Sequence, residues 1–298
     1  TGPKAWNEWI SNLVQELFFK ILHILETGEL ANPDVSRKVK ETMTRVLRAI
    51  PPGMDRKELA LHLDAMSPRY LLNTPPNTMV HHLQLVQRFQ KALQDEDMGG
   101  FILETREESN GFWEIIFMAK DRPGLFSDIT GVLALHNINI LSADIYTWRD
   151  STAVDIFRVT SPLDPIHPHE TWERVQRDLK NTLDGTLSLP DHLNKKASPS
   201  IFFKKIKHSR PPKLLVDNTS SDFFTLIEVF AGDRVGLLYT ITRTLFDLRL
   251  DIRIAKVATK GDLVADVFYV RDLEGQKVED KERAEEIKTT LLHHLAME

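Results

Sequence analysis

Two short runs hold the residues whose types and spacing suit ligand chemistry: Asp121-Arg122-Pro123-Gly124-Leu125 and Asp233-Arg234-Val235-Gly236-Leu237. In each, a carboxylate precedes a glycine, and an apolar helical period begins directly after it. A carboxylate accepts hydrogen bonds from an ammonium group. A glycine lets another molecule reach the main chain, because no Cβ stands in the way. The helix that begins there presents N–H groups without intrahelical partners, which suit a carboxylate. Acceptor, donors and room at one corner are what a free amino acid requires. Asn137 and Asn139, which lead into the next strand, and Asp251 at the place matching Asn139, add groups for the α-substituents or a side-chain amide. The plainer reading is that each Asp caps its helix and each Gly serves the turn, and the two roles can coexist. Thr130 and Thr242 are expected to back-bond within their helices. Asp155 and Asp266 alternate with apolar neighbours and are expected to face solvent or an interdomain partner.

The two runs belong to an internal repeat. Matching residues recur in step: Asp121/Asp233, Gly124/Gly236, Ile129/Ile241, Thr130/Thr242, Leu133/Leu245, Ile140/Ile252, Ala143/Ala255 and Thr147/Thr259. Before each Asp lies a β-rich apolar run (Trp113, Ile115, Phe117; Leu226, Ile227, Val229), so each corner is a strand-to-helix turn. Strands are predicted over 101–105, 112–119, 138–147 and 153–160, with a helix over 168–183. The second copy repeats this with strands over 214–216, 224–230, 251–259 and 264–270 and a final helix. Because the chain ends after that helix, each unit reads as ββαββα, a permuted ferredoxin-like α+β arrangement with an antiparallel four-stranded sheet.

The units are placed at 100–187 and 212–298, joined by a linker at 188–211. That stretch carries Lys195, Lys196, Lys204, Lys205, Lys207 and Arg210, with Lys213 just after it, and reads as a solvated linker in preference to an anion-binding arm. Residues 1–97 read as an all-helical segment, with helices over 6–27, 35–50, 55–63 and 80–93 and a proline-containing connection over 67–77. His81-His82 does not read as a metal pair, since adjacent helical residues point about 100° apart. Asp95-Glu96-Asp97 reads as a solvated helix end.

The chain has 298 residues, a net charge of −5 and no cysteine. The charge gives no basic field for nucleic acid, and the missing thiols exclude disulfides, thiolate catalysis and zinc–cysteine sites. No apolar run is long enough to span a membrane, and no signal peptide is visible. The first residue is Thr, so the chain is expected to be a piece of something longer.

The Asp-Arg-Pro-Gly-Leu corner, its helix and the Asn137-Ile138-Asn139-Ile140 that opens the next strand resemble the ACT family of amino-acid-binding regulatory domains. The second copy departs by Val235 in place of Pro123 and by Asp251 in place of Asn139. The tandem also resembles the C-terminal sensor of the bacterial uridylyltransferase/uridylyl-removing enzyme family, which acts on the PII nitrogen signal protein. The residues are Asp233 to Arg243, Ala265 to Val270, Asp272 to Lys277 and, in the helical part, Trp6-Asn7 and Pro68-Arg69-Tyr70. The resemblance implies a cytoplasmic, allosteric glutamine sensor whose partners are PII and catalytic domains that use Mg and UTP, with ACT units pairing within a chain or as a homodimer. The family's Gly-Ser and paired-aspartate nucleotidyltransferase motif and its His-Asp hydrolase doublet are absent here, so no cofactor and no catalytic residue is expected in the chain. The ligand residues implied are Asp121, Arg122, Pro123, Gly124, Leu125, Asn137, Asn139, Asp233, Arg234, Gly236, Leu237 and Asp251. Two other functions compete: a docking or dimerisation module that binds no small ligand, and an enzyme, for which no catalytic constellation is found.

Overall fold

A computed structural model describes residues 33–51, 56–94, 99–108, 111–197, 211–221, 223–260 and 263–297. The helix expected over 6–27, the acidic run Asp95 to Asp97 and most of the basic stretch after Ala197 lie outside the described residues.

The first repeat contains β1 (Phe101–Glu107), β2 (Phe112–Lys120), α5 (Leu125–Leu135), β3 (Ile140–Thr147), β4 (Thr152–Thr160) and α6 (Pro168–Leu183). The second contains β5 (Lys213–Asp217), β6 (Thr225–Gly232), α8 (Leu237–Asp247), β7 (Leu250–Lys260), β8 (Leu263–Asp272) and α9 (Lys281–Met297). Each copy is the permuted ββαββα unit. Their sheets do not stay separate, because β3 pairs antiparallel with β7 and produces one eight-stranded sheet in the order β1-β2-β4-β3-β7-β8-β6-β5. The two units therefore pair within the chain.

This junction has pseudo-twofold symmetry. Equivalent positions such as Thr130 and Thr242 lie 112 residues apart, and by the same offset Asp144 matches Lys256, its cross-strand neighbour in the β3–β7 register. Backbone details repeat as well. Gly124 and Gly236 adopt φ of 82° and 88° at the helix starts, a left-handed conformation that suits glycine. Asn137 and Arg249 share left-handed φ values of 56° and 57° after the helices. The register slips by one residue at Leu141 in β3 and at Arg253 in β7, matching bulges of the kind that re-aim a side chain.

One face of the sheet packs against the helices of both units, in a core that joins Ile115, Phe117, Ile129 and Phe157 to Ile227, Ile241, Phe268 and Leu291. In the first unit the other face is covered too. Ile102, Ile116, Met118, Tyr146, Trp148 and Val154 share a core with the helical segment: α1 (Pro33–Ala49), α2 (Arg56–Ala65), α3 (Pro68–Asn73) and α4 (Pro76–Ala92). Burial on both faces is why Ile115 to Ala119 of β2 form an unbroken apolar run.

Two local expectations are corrected. The connection over 67–77 contains α3, started by Ser67, whose hydroxyl accepts from the Tyr70 N–H, and by Pro68 at the first helical position. The segment after Ser188 starts with α7 (Leu189–Ala197), which is not a solvated linker. Leu189 is buried in the core, and the Lys196 amine donates to the carbonyls of Ala134 and Leu135 at the end of α5. In the helical segment His82 is fully buried and meets the Tyr70 hydroxyl at 2.5 Å, whereas His81 pairs with Glu104. Burial, with the neighbouring His81 adding to it, lowers the His82 pKa to about 4.

Candidate functional site

Because β3 and β7 run side by side, each glycine corner faces the start of the other unit's strand. The first corner, Asp121 to Leu125, meets Leu250, Asp251 and Ile252. The second meets the first unit's Asn139, whose amide donates to Asp233 Oδ2 at 2.9 Å. The sequence-predicted residues are thus brought together across the repeat, Asp121 with Asp251 and Asp233 with Asn139.

Neither aspartate caps its helix. Gly124 and Gly236 are the N-cap residues, without a side-chain cap bond, and Asp121 Oδ2 accepts from the Thr147 hydroxyl at 3.0 Å. The carboxylates point across the corner and leave the helix N-termini uncapped by side chains. Arg122 binds Asp128 at 2.5 Å and folds over the first turn of α5. Leu125 and Leu237 are buried in the core and anchor the corners from below. Asn137 serves the left-handed turn after α5, where its N–H donates to the Ala134 carbonyl.

The two corners are not equal. At the second, Asp233 is met by a neutral amide donor. At the first, Asp251 replaces that amide, and two carboxylates face each other. Arg253, turned by its bulge, stands between them, 3.0 Å from Asp251 and 3.9 Å from Asp121. The glycines also differ in what lies over them. A Cβ on Gly124 would stand 2.9 Å from the Phe246 ring, whereas one on Gly236 would stand 3.8 Å from Ala134. Phe246 and Ala134 are themselves equivalent positions, so the repeat places a ring over one corner and a methyl group over the other.

Behind the first corner is a cavity of about 30 Å³ lined by Asp121, Ser127, Asp155, Thr147 and Phe246. That volume suits one or two water molecules and no amino acid. Its walls are polar: the buried Ser127 hydroxyl and Asp155 Oδ1 have no hydrogen-bond partner among the described residues. Asp155 was expected to face solvent or a partner domain, but it is 2% exposed. Burial first, and repulsion from Asp121 second, push its carboxyl well above the usual carboxylate range. Asp266, its counterpart, is equally buried. Burial raises it to about 7; repulsion from Asp233 adds to this, and the Ala258 N–H opposes it. Each corner thus pairs an outer aspartate with an inner, protonatable one. A lone carboxylate among the apolar residues of β4 and β8 was the sequence signal for the inner pair. Phe246 and Arg253 had none, since one depends on the pairing of α5 with α8 and the other on a bulge.

Two glycine corners, each closed by the partner unit across a shared eight-stranded sheet, define a pair of ACT domains. The family models agree: that of the ACT domain matches residues 113–169, and that of the ACR9-like, ACT-like domain matches residues 213–298. Over nearly its whole length the chain matches the C-terminal part of bifunctional uridylyltransferase/uridylyl-removing enzymes. The relative from Rhodospirillum rubrum is 32% identical over 97% of this chain and 30% of its own length. That from Gluconobacter oxydans is 32% identical over 99% of this chain and 31% of its own, and that from Azospirillum brasilense is 31% identical over the same shares. The chain therefore spans about a third of the length of these relatives. A crystal structure of aspartate kinase from Synechocystis aligns with 62% of this chain and 27% of its own, at 17% identity and a TM-score of 0.34.

Proposed function

We propose that the chain is an allosteric amino-acid sensor, with glutamine as its effector, and that the first corner is the binding position. The observation that supports this most is the set of charges of both signs gathered there: Asp121 and Asp251 for an ammonium group, and Arg253 for a carboxylate. A zwitterion needs both. The corner as described is the closed state, with the Phe246 ring over Gly124. The effector enters by displacing that ring and opening the small polar cavity behind it. Since the ring belongs to α8 and the glycine to the α5 turn, its departure changes how the two units pack. The change reaches the helical segment through β3, whose Ile145 carbonyl accepts from Arg69 and whose Tyr146 lies in the helical core. In the parent enzyme this signal biases catalytic domains that add uridylyl groups to PII and remove them, with UTP as the uridylyl donor and Mg as the metal cofactor of the first step. Such coupling typically amounts to about 1–3 kcal/mol, so it shifts an equilibrium and does not lock it.

Calorimetry of the 298-residue chain with millimolar glutamine tests the reading. Heat and a thermal shift are expected, both abolished by Asp121→Asn and kept in Asp233→Asn, with tighter binding in Phe246→Ala. Silence in the wild type and in Phe246→Ala alike would overturn it. The reverse pattern in the two aspartate variants would move the site to the second corner.

A further inference from the structure

On the side of the first corner that faces the helical segment runs an open groove of about 560 Å³. Five arginines line it, Arg69, Arg122, Arg149, Arg253 and Arg271, against two aspartates, Asp121 and Asp251. They come from α3, the first corner, the turn after β3, the bulge of β7 and the end of β8, so three parts of the chain converge on one basic surface. We propose that this groove binds a small phosphate-bearing anion carrying at least two negative charges.

The supply of positive charge exceeds what the protein uses. Arg122 is taken by Asp128, and Arg253 by Asp251. Arg271 donates to the Phe223 carbonyl and lies over the Phe224 ring. Arg69 is only 7% exposed. Among the described residues it meets the Ile145 carbonyl and the Tyr146 ring, its Nε has no acceptor, and no carboxylate forms an ion pair with it. A guanidinium held out of water without a counter-charge is costly and favours any anion that comes near. Its field is felt at Lys256, whose amine is lowered to about 8 by desolvation first and by Arg69 second. At the groove's rim Arg149 is exposed, and its guanidinium has no ion-pair partner among the described residues.

The number and kind of donors select the ligand class. Guanidinium groups present planar forks that match phosphate oxygens, and several converging from separate elements exceed what one monoanionic carboxylate can accept. The volume lies in the range of small-molecule sites. The aromatic walls, Tyr146 and Trp148, are themselves buried, which leaves the charged groups as the recognition surface. A ligand here would tie the helical segment to both ACT units beside the amino-acid corner, as a second input to the same junction.

Titration calorimetry of the full chain with pyrophosphate at low salt tests this, and a nucleoside triphosphate serves as a second probe. Pyrophosphate is expected to bind once per chain, with affinity that falls as salt rises. Arg149→Ala should weaken binding about tenfold, the loss of one charge-assisted contact. Arg69→Gln should weaken it further, and Arg158→Ala, far from the groove, should leave it unchanged. Equal affinity for both probes would mark the polyphosphate group as the ligand, and tighter triphosphate binding would mark a nucleotide. No binding of either at millimolar concentration, or binding indifferent to Arg149→Ala, would overturn the proposal. Arg149 has no part in the amino-acid corner, so Arg149→Ala is expected to lose pyrophosphate affinity and keep the glutamine response, which separates the two sites.

Discussion

The hydroxyls of Thr130 and Thr242 lie 3.0 Å apart, at equivalent places in the two repeats, and so mark the pseudo-twofold axis between α5 and α8. Both were expected only to back-bond, and both do: Thr130 to the Ser127 carbonyl, Thr242 to those of Leu238 and Tyr239. The added contact across the axis makes the pair a sensor of how the two units are seated. Both residues are buried, so removing one hydroxyl takes away the contact across the axis and leaves the other only its own helix carbonyl. Thr130→Val and Thr242→Val are each expected to cost about 1 kcal/mol, with the double variant costing less than the sum. A double-mutant cycle on denaturant midpoints reads the coupling; strict additivity would show that the hydroxyls serve only their own helices.

Gly124 and Gly236 share a backbone conformation but not a neighbour. An alanine at either costs about 1–2 kcal/mol for the left-handed φ. At Gly124 the new Cβ also meets Phe246 at 2.9 Å, whereas at Gly236 it has ordinary contact with Ala134. Gly124→Ala is therefore expected to be the more destabilising by thermal melting. Relative to Phe246→Ala alone, adding Gly124→Ala should cost only the backbone share. An equal loss in the two single variants would mean that the ring moves away freely.

Much of the fold could be read from residues because its signals are local. The period-2 runs, the Asp-x-x-Gly corners and the helical stripes each lie within a dozen residues of one another, and their repetition located both units. What the sequence did not disclose depends on contacts distant in the chain. Arg253 reaches the first corner only because β7 slips by one residue against β8. Phe246 matters because α8 packs beside α5. The segment at 189–197 reads as polar from its lysines, yet Leu189 anchors it in the core, and its contact with Gly131 explains a glycine in mid-helix, where a Cβ would stand 2.8 Å from Leu189. At the site the outer aspartates and glycines were legible as a repeated motif, while the inner Asp155 and Asp266 were read as facing outward because alternation alone does not say which face of a strand is covered.

The bridge from Asn139 to Asp233 has its counterpart in the facing pair Asp121 and Asp251. Asn139→Asp copies the first corner's carboxylate pair into the second without copying its arginine, since Leu141 stands where β7 has Arg253. At neutral pH the variant is expected to lose about 1–3 kcal/mol, from the lost donor and the new repulsion. The loss should shrink as pH falls toward the carboxylate range and one partner takes up a proton. Melting temperatures of the variant and wild type across pH 4–8 check this; a gap independent of pH would mean that the two groups do not face each other.

Asp266 makes stability itself depend on pH in a direction opposite to that of a salt-bridged carboxylate. Its folded-state pKa is raised from 3.8 to about 7, chiefly by burial. Between those values the folded protein holds a proton that the unfolded chain has released. Stability from this group is therefore fully present at acid pH, falls as pH rises through that window and levels off once the buried carboxyl ionises. The loss amounts to at most about 4 kcal/mol. Asp266→Asn removes the titration while keeping an oxygen to accept from the Ala258 N–H, which meets Asp266 Oδ1 at 3.1 Å. Relative to wild type, the variant is expected to gain stability as pH is raised from 5 to 8, measured by urea midpoints at each pH. Other titrating groups, including the buried His82, are common to both proteins and cancel in the difference. A difference that stays constant with pH would show that Asp266 is ionised throughout, and that the Ala258 N–H outweighs the burial of the charge.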